Sequence, residues 1–180
     1  IEADEYDRSF LHLYPTLACI TSLDLDHLDI YQNKSAYNEA FIQFSKQVKQ
    51  ELIVAKGLPI SGLTYGIELE ADYRAFNLKT SEKGYYFDLV TPNDKFTDIY
   101  LNLIGAHNVS NAIGALALAD QFGLNLDKVI PTLKNFPGVY RRMNLYKWED
   151  NIVIDDYAHH PFEIESVYET LKCFYPKHKN

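Results

Sequence analysis

Two short apolar runs with an amphipathic stretch between them constrain the fold more than any other feature of the chain. Thr16-Leu17-Ala18-Cys19-Ile20-Thr21, bounded by Pro15 and Asp24, has the form of a strand buried on both faces, since only such a strand is apolar at consecutive positions. Glu51-Leu52-Ile53-Val54-Ala55 is a second run of that kind. Between them Tyr37, Phe41, Phe44 and Val48 recur at spacings of four, three and four, the period that gathers side chains on one face of a helix. Ser35 stands where a capping hydroxyl is expected. Buried strands joined by a helix pair in parallel. The prediction is therefore an α/β fold, a mostly parallel sheet flanked by helices.

The pattern changes over residues 64–103, where Tyr, Phe, Ile and Val alternate with polar residues and turn signals fall at Glu82-Lys83-Gly84 and Pro92-Asn93-Asp94. This predicts a small antiparallel subregion of three or four strands. A second helix follows Gly105-Ala106-His107-Asn108, with Ala112, Ala115, Leu116 and Ala119 along it and Gly123 as its stop. A shorter helix is expected over 126–136, with Pro131 in its first turn or kinking it. Phe136-Pro137-Gly138 is turn chemistry, strands are expected over 143–148 and 151–155, and Pro161 suits the first residue of a final helix. The organisation read from this is a main domain over 1–138 and the start of another over 139–180.

The formal net charge of -8, with no cluster of Lys and Arg, argues against nucleic-acid binding, which needs a basic face. A small-molecule partner fits better. Cys19 and Cys173 stand far apart without a Cys-x-x-Cys pairing, so neither a disulfide framework nor a zinc ribbon is expected. No apolar run approaches the ~20 residues of a bilayer span and no signal-peptide pattern is present, so the expected location is cytoplasmic. The opening on Ile1-Glu2 without Met reads as a fragment of a longer protein.

Five short constellations could carry chemistry. Glu2-Ala3-Asp4-Glu5-Tyr6-Asp7 places four carboxylates in six residues, which suits a hard divalent cation, although a solvated acidic turn accounts for it equally. Asp24-Leu25-Asp26-His27-Leu28-Asp29 sets an imidazole among carboxylates just past a buried strand, where α/β sheets bind ligands. The same residues would serve a metal-dependent His-Asp phosphohydrolase or a helix cap. Asn108 and Asn111 lie one helical turn apart and can face one ligand; Asn108 as a plain N-cap is the alternative. Arg141-Arg142 follows a Gly turn, from which a guanidinium can reach a phosphate, or simply face solvent. Asp155-Asp156-Tyr157-Ala158-His159-His160-Pro161 closes a strand with two acids and two imidazoles, and adjacent His residues make a poor chelate.

Taken together, Glu-Ala-Asp-Glu, Asp-His-Leu-Asp, Gly-x-His-Asn-x-x-Asn-Ala, Arg-Arg and Asp-Asp-Tyr-x-His-His-Pro occur in the order and approximate spacing of the Mur ligases, and the chain resembles the alanine-adding branch of that family from Glu2 to Pro161. The resemblance implies a nucleotide-binding central domain of the P-loop-NTPase type over 1–138, followed by the start of a Rossmann-like domain. It implies an ATP-dependent amide ligase that joins L-alanine to UDP-N-acetylmuramate in peptidoglycan synthesis, with ATP and Mg²⁺ required. Glu2 and His27 would hold the Mg²⁺, and Asn108, Asn111, Arg142 and Asp156 would contact the nucleotide. His159 and His160 would line the cleft where the amino acid arrives.

Two departures from the family pattern bear on this. The Gly-rich phosphate loop ending Gly-Lys-Thr is absent from the 180 residues and is expected upstream, so the chain alone is expected to be inactive. Several relatives carry a carbamoylated lysine in the helix after the Asp-His motif; Phe41 aligns there, as in the alanine-adding and peptide-recycling branches. The recycling branch has a longer basic insertion after the acidic opening, whereas here Arg8-Ser9-Phe10-Leu11-His12-Leu13 runs straight to Tyr14-Pro15, which favours alanine addition. A peptide-recycling ligase, a His-Asp phosphohydrolase and a non-catalytic interaction domain remain the alternatives.

Overall fold

The computed structural model describes residues 1, 3–24, 30–31, 33–149 and 151–176, apart from the Phe162 side chain. Among them β1 (Leu17–Ile20), β2 (Glu51–Ala55), β3 (Leu63–Ile67), β4 (Tyr73–Thr80), β5 (Tyr85–Val90) and β6 (Lys95–Leu101) form one sheet in sequence order. The β1-β2, β2-β3 and β3-β4 pairs are parallel, and β5 and β6 complete an antiparallel meander. A separate hairpin, β7 (Asn144–Trp148) with β8 (Asn151–Asp155), precedes the last helix.

The expectation of antiparallel pairing from residue 64 onward is corrected at β3. The links into β3 and β4 are too short for the crossover helix that parallel neighbours usually need, and the register explains how they manage. Leu63 pairs with Ile53 and Tyr73 pairs with Tyr65, two residues behind the ends of β2 and β3 respectively. Each link therefore climbs back only two residues, roughly 7 Å, before the chain resumes.

Helices cover both faces. Along β2, Leu52 and Val54 point toward α1 (Lys34–Ser45) and pack with Phe10, Tyr31, Tyr37, Ala40 and Phe44, whereas Ile53 points into the opposite core. That second core is built on α2 (Ala106–Gln121), whose Val109, Ile113, Leu116 and Ala117 lie against Tyr65, Tyr73, Phe87 and Leu89. Gly114 is the point of closest approach: a Cβ there would stand 3.2 Å from Cys19 Sγ and 3.3 Å from Tyr65 Cζ. Phe41 packs its ring on Phe10 and Tyr37 at centroid distances of 5.1 and 5.0 Å.

Several local signals behave as expected and two do not. Gly123, at φ +83, ends α2: its N–H donates to Asp120 O and that of Leu124 to Ala119 O, the paired bonds of a Schellman stop. Pro131 sits where the short α3 (Leu126–Val129) tightens into a 3-10 turn, Ile130–Asn135. Pro161 opens α4 (Pro161–Phe174). The cap of α1, however, is Asn33, whose side chain accepts from the Ala36 N–H at 3.0 Å, and not Ser35, which lies inside the helix and donates to Glu39. Asn108 is likewise not an N-cap; Gly105 holds that position.

Candidate functional site

The direction of the strands sets where a ligand can sit. β1 to β4 run the same way; β5 reverses and β6 reverses again, so β6 also ends at the carboxyl edge of the sheet. α2 begins there, after Leu101, and runs back across β1 to β4. Its first turn thus shares an edge with the segment that follows β1, where Ser22 and the exposed Asp24 exchange hydrogen bonds. Carboxyl edges of this kind are the ligand-binding side of open α/β sheets.

Of the residues singled out from sequence, Glu2 and His27 lie outside the described residues, as does the stretch 25–29. The rest of the acidic opening is described, and it is engaged locally. Asp4 and Asp7 accept the N–H groups of Tyr6 and Ser9, while the backbone and carboxylate of Glu5 accept the hydroxyls of Tyr31 and Tyr37. These contacts tie the opening to α1. Among the described residues no group of three or more His, Cys, Asp and Glu could hold a metal ion.

Asn108 and Asn111 stand in the first turns of α2, and Arg142 and Asp156 lie within electrostatic reach of its start. Asn108 donates to Ile104 O at 2.7 Å, which leaves its carbonyl oxygen and the exposed Asn111 amide one turn apart on the helix. Arg142 lies on a loop held from several sides. Arg141 and Met143 flank it at φ 58 and 52, a conformation that costs energy in non-glycine residues. Asp156 clasps that loop: Oδ2 accepts the Met143 N–H at 2.9 Å and Oδ1 the Ala158 N–H at 2.8 Å. Tyr157 N donates to Arg141 O, and the Arg141 guanidinium lies 4.6 Å from the Tyr157 ring centroid. The two motifs that sequence placed in separate strands and turns are therefore one structural unit.

His159 and His160 stand at the entrance to α4, both exposed. Their N–H groups converge on Glu163 Oε2 at 3.1 and 3.2 Å, and His160 also completes a capping box with Glu163. Burial would raise the Glu163 carboxyl, but these two donors outweigh it and hold it below its ordinary value. The His159 ring nitrogen Nδ1 faces Tyr157 O at 3.1 Å, so this imidazole is directed by its own loop.

Sequence reasoning passed over His107, although it lies within a quoted motif. Its ring folds back over Gly105, whose φ is +96 and where a Cβ would fall 2.5 Å from His107 Cε1. Burial pushes its imidazole below the ordinary value, opposed by Asp156, aided by Arg142 and opposed again by Glu163. Those three groups are thus within electrostatic reach of the α2 N-terminus, and Ser166 Oγ of α4 lies 3.5 Å from His107 Nδ1. Glu163 was legible as the third helical residue of a capping box after Pro161; the proximity of His107 to Ser166, fifty-nine positions apart, has no local signal.

Residues 2–119 match the Mur ligase middle domain. The chain is 43% identical over 99% of its length to the UDP-N-acetylmuramate--L-alanine ligase of Flavobacterium psychrophilum, and 44% identical over 99% to that of Christiangramia forsetii, covering 41% and 40% of those proteins. Its fold superposes on 42% of the UDP-N-acetylmuramate-alanine ligase MurC of Thermotoga maritima with a TM-score of 0.85 and 28% identity, over 98% of this chain. The MurF ligase of Thermotoga maritima in complex with ADP shares the fold at a TM-score of 0.75 and 18% identity, over 87% of this chain and 39% of that one. The chain spans about two fifths of the length of the relatives it matches. With the family match covering most of its residues, and relatives matched over nearly its whole length, the chain belongs to the Mur ligase family and carries that family's middle domain.

Proposed function

We propose that the chain forms the nucleotide-facing core of a cytoplasmic, ATP-dependent ligase that joins L-alanine to UDP-N-acetylmuramate in peptidoglycan synthesis. The observation that carries this reading is that the Arg142 loop, held by Asp156, lies within electrostatic reach of His107 in the first turn of α2, the helix that carries Asn108 and Asn111 from the carboxyl edge of the sheet. The alanine ligases matched over 99% of the chain give the substrate class. In keeping with a soluble location, no helix among the described residues is long and apolar enough to cross a membrane. Residues 1–138 are read as the nucleotide-binding domain and 139–180 as the start of a second, which suits a hairpin hydrogen-bonded only to itself among the described strands.

The donor set fits ATP with Mg²⁺ better than a closed metal cage. Mg²⁺ usually takes one or two carboxylates and completes its shell with water and phosphate oxygens, so Glu2 would be its oxygen ligand, with His27 beside it as the family resemblance implies. When bound, the metal would neutralise charge gathering on the phosphates. Asn108 and Asn111 would take the adenine through amide donors and acceptors, and Arg142 would face the phosphates. Asp156 serves by holding the Arg142 loop in place, and His159 and His160 would border the incoming amino acid. The reaction this supports is attack of the muramoyl carboxylate on the γ-phosphorus of ATP, which releases ADP and gives an acyl phosphate, whose phosphate the alanine amine then displaces with loss of a proton. Positioning and charge stabilisation supply the rate.

The test is an assay of the full-length protein containing this chain with ATP, UDP-N-acetylmuramate and single amino acids. Phosphate release that requires both the sugar nucleotide and alanine is the expected result. Release without either one refutes the proposal, and preference for a whole peptide over free alanine would assign peptide recycling instead.

A further inference from the structure

Ser166, Thr170 and Phe174 are spaced four residues apart and so share one side of α4. At its far end the Phe174 ring meets Tyr85 of β5 edge-on at 5.3 Å, within the main core. In the middle Thr170 is buried and its hydroxyl donates to Ser166 O at 2.8 Å. At the near end Ser166 Oγ reaches His107 Nδ1. The apolar contact fixes one point of the helix, and the polar contact lies about 12 Å from it along the axis, beside the candidate site. Two points are needed to set the angle of a rod.

Hydrogen bonds and short stretches of backbone link the Arg142 loop to the first turn of α4, one turn before Ser166. Met143 N, next to Arg142, donates to Asp156, which also accepts Ala158 N; the following N–H groups of His159 and His160 close on Glu163 in the first turn of α4. Shifting α4 therefore shifts the loop that carries Arg142. On the other side His107 is one residue before Asn108 in the first turn of α2, its ring seated over a glycine that leaves no room for a side chain.

We propose that His107 is a positioning residue: by bridging to Ser166 it ties the first turn of α2 to the second turn of α4 and so fixes Arg142 and Asp156 relative to Asn108 and Asn111. The proposal rests on the reading that Asn108, Asn111 and Arg142 face the nucleotide, with Asp156 holding the Arg142 loop. His107 acts through them and touches no reacting atom.

The experiment uses the full-length protein and two readouts besides turnover, amide hydrogen exchange without nucleotide and calorimetric affinity for a non-hydrolysable ATP analogue. His107→Ala should speed exchange in the first turn of α2 and in α4 around Ser166 and weaken the analogue about fivefold, the loss expected for one half-buried hydrogen bond. His107→Asn, whose amide nitrogen can occupy the place of Nδ1, should recover most of both. Ser166→Ala should resemble His107→Ala, and the double variant should be no worse than either. Unchanged exchange and affinity in His107→Ala overturns the proposal. So does His107→Asn as impaired as His107→Ala, or additive losses in the double variant. A wild-type protein that makes no alanine product while these changes persist would refute the substrate reading and leave the positioning role standing; normal alanine ligation with unmoved exchange would do the reverse.

Discussion

Gly114 offers the most direct probe of how α2 is seated on the sheet. Replacing it with alanine removes the backbone penalty of a mid-helix glycine, a gain of about 1 kcal/mol. Against this, the new methyl would stand 3.2 Å from Cys19 Sγ and 3.3 Å from Tyr65 Cζ, some tenths of an ångström inside the ~3.5–4.0 Å of a relaxed contact. Neither neighbour yields easily. Tyr65 is 1% exposed within β3 and Cys19 belongs to the paired strand β1. Overpacking of this kind costs about 1–3 kcal/mol, so Gly114→Ala should be net destabilising by about 1 kcal/mol, and Gly114→Val, with two further methyls, by about 3 kcal/mol. Denaturant titration followed by circular dichroism reads both. Cys19→Ala removes the nearest atom, so combining it with Gly114→Ala should recover about 1 kcal/mol relative to the sum of the single changes. Gly114→Ala at or above wild-type stability, or strictly additive effects with Cys19→Ala, would refute the close seating of the helix.

Three further outcomes follow from the same coordinates. Gly105→Ala forces a side chain onto φ +96 and into the His107 ring, and should lower stability by about 1–3 kcal/mol in a thermal melt while weakening ATP-analogue binding. Tyr73→Phe removes a fully buried hydroxyl that donates to Asp120 at 2.6 Å and accepts from Gln121 at 2.8 Å; a loss of about 1–3 kcal/mol is expected, and a neutral result in denaturant would show that water replaces the hydroxyl. The Thr64 N–H and hydroxyl hold the Asp72 carboxyl below its ordinary value of 3.8. A depressed folded value means the stabilisation is present above the unfolded value and disappears as pH falls through the folded one. The stability gap between wild type and Asp72→Asn, clear at neutral pH, should therefore close in acid, and a gap that persists at pH ~2 would rule out the carboxylate as its source.

What sequence revealed depends on how local the cause is. Strands β1 and β2, the stop at Gly123, the kink at Pro131 and the start at Pro161 are decided by a few adjacent residues, and each was readable, although β1, expected to be buried on both faces, lies at the edge of the described sheet and is half-buried except at Ile20. The pairing of β3 was not, because two links too short for a helix suggest reversal, and only the two-residue stagger makes parallel neighbours reachable. Asn33 took the cap from Ser35 because either side chain is competent and the entry of the chain into α1 decides between them. The site divided likewise. Asn108, Asn111, Arg142 and Asp156 were chosen for their chemistry, but the clasp of Asp156 on the Arg142 loop, and its approach to His107, are long-range events that spacing does not encode. Glu2 and His27 lie outside the described residues, so their part as metal ligands stays with the proposal.

The staggered links into β3 and β4 have a further consequence for the other side of the sheet. A crossover helix does two jobs: it returns the chain and it roofs the strands it passes over. By returning in a few residues, the chain gives up the roof. On the face opposite α2, the outer strands shelter one another instead. Arg74 and Lys95 each lie 5.3 Å from the Phe76 ring centroid, and Tyr86 pairs with Tyr100 at 4.8 Å. These side chains combine broad apolar bodies with charged or hydroxyl ends that tolerate water. A shorter backbone route has thus shifted the work of waterproofing from a helix to the amphipathic surface of the strands themselves.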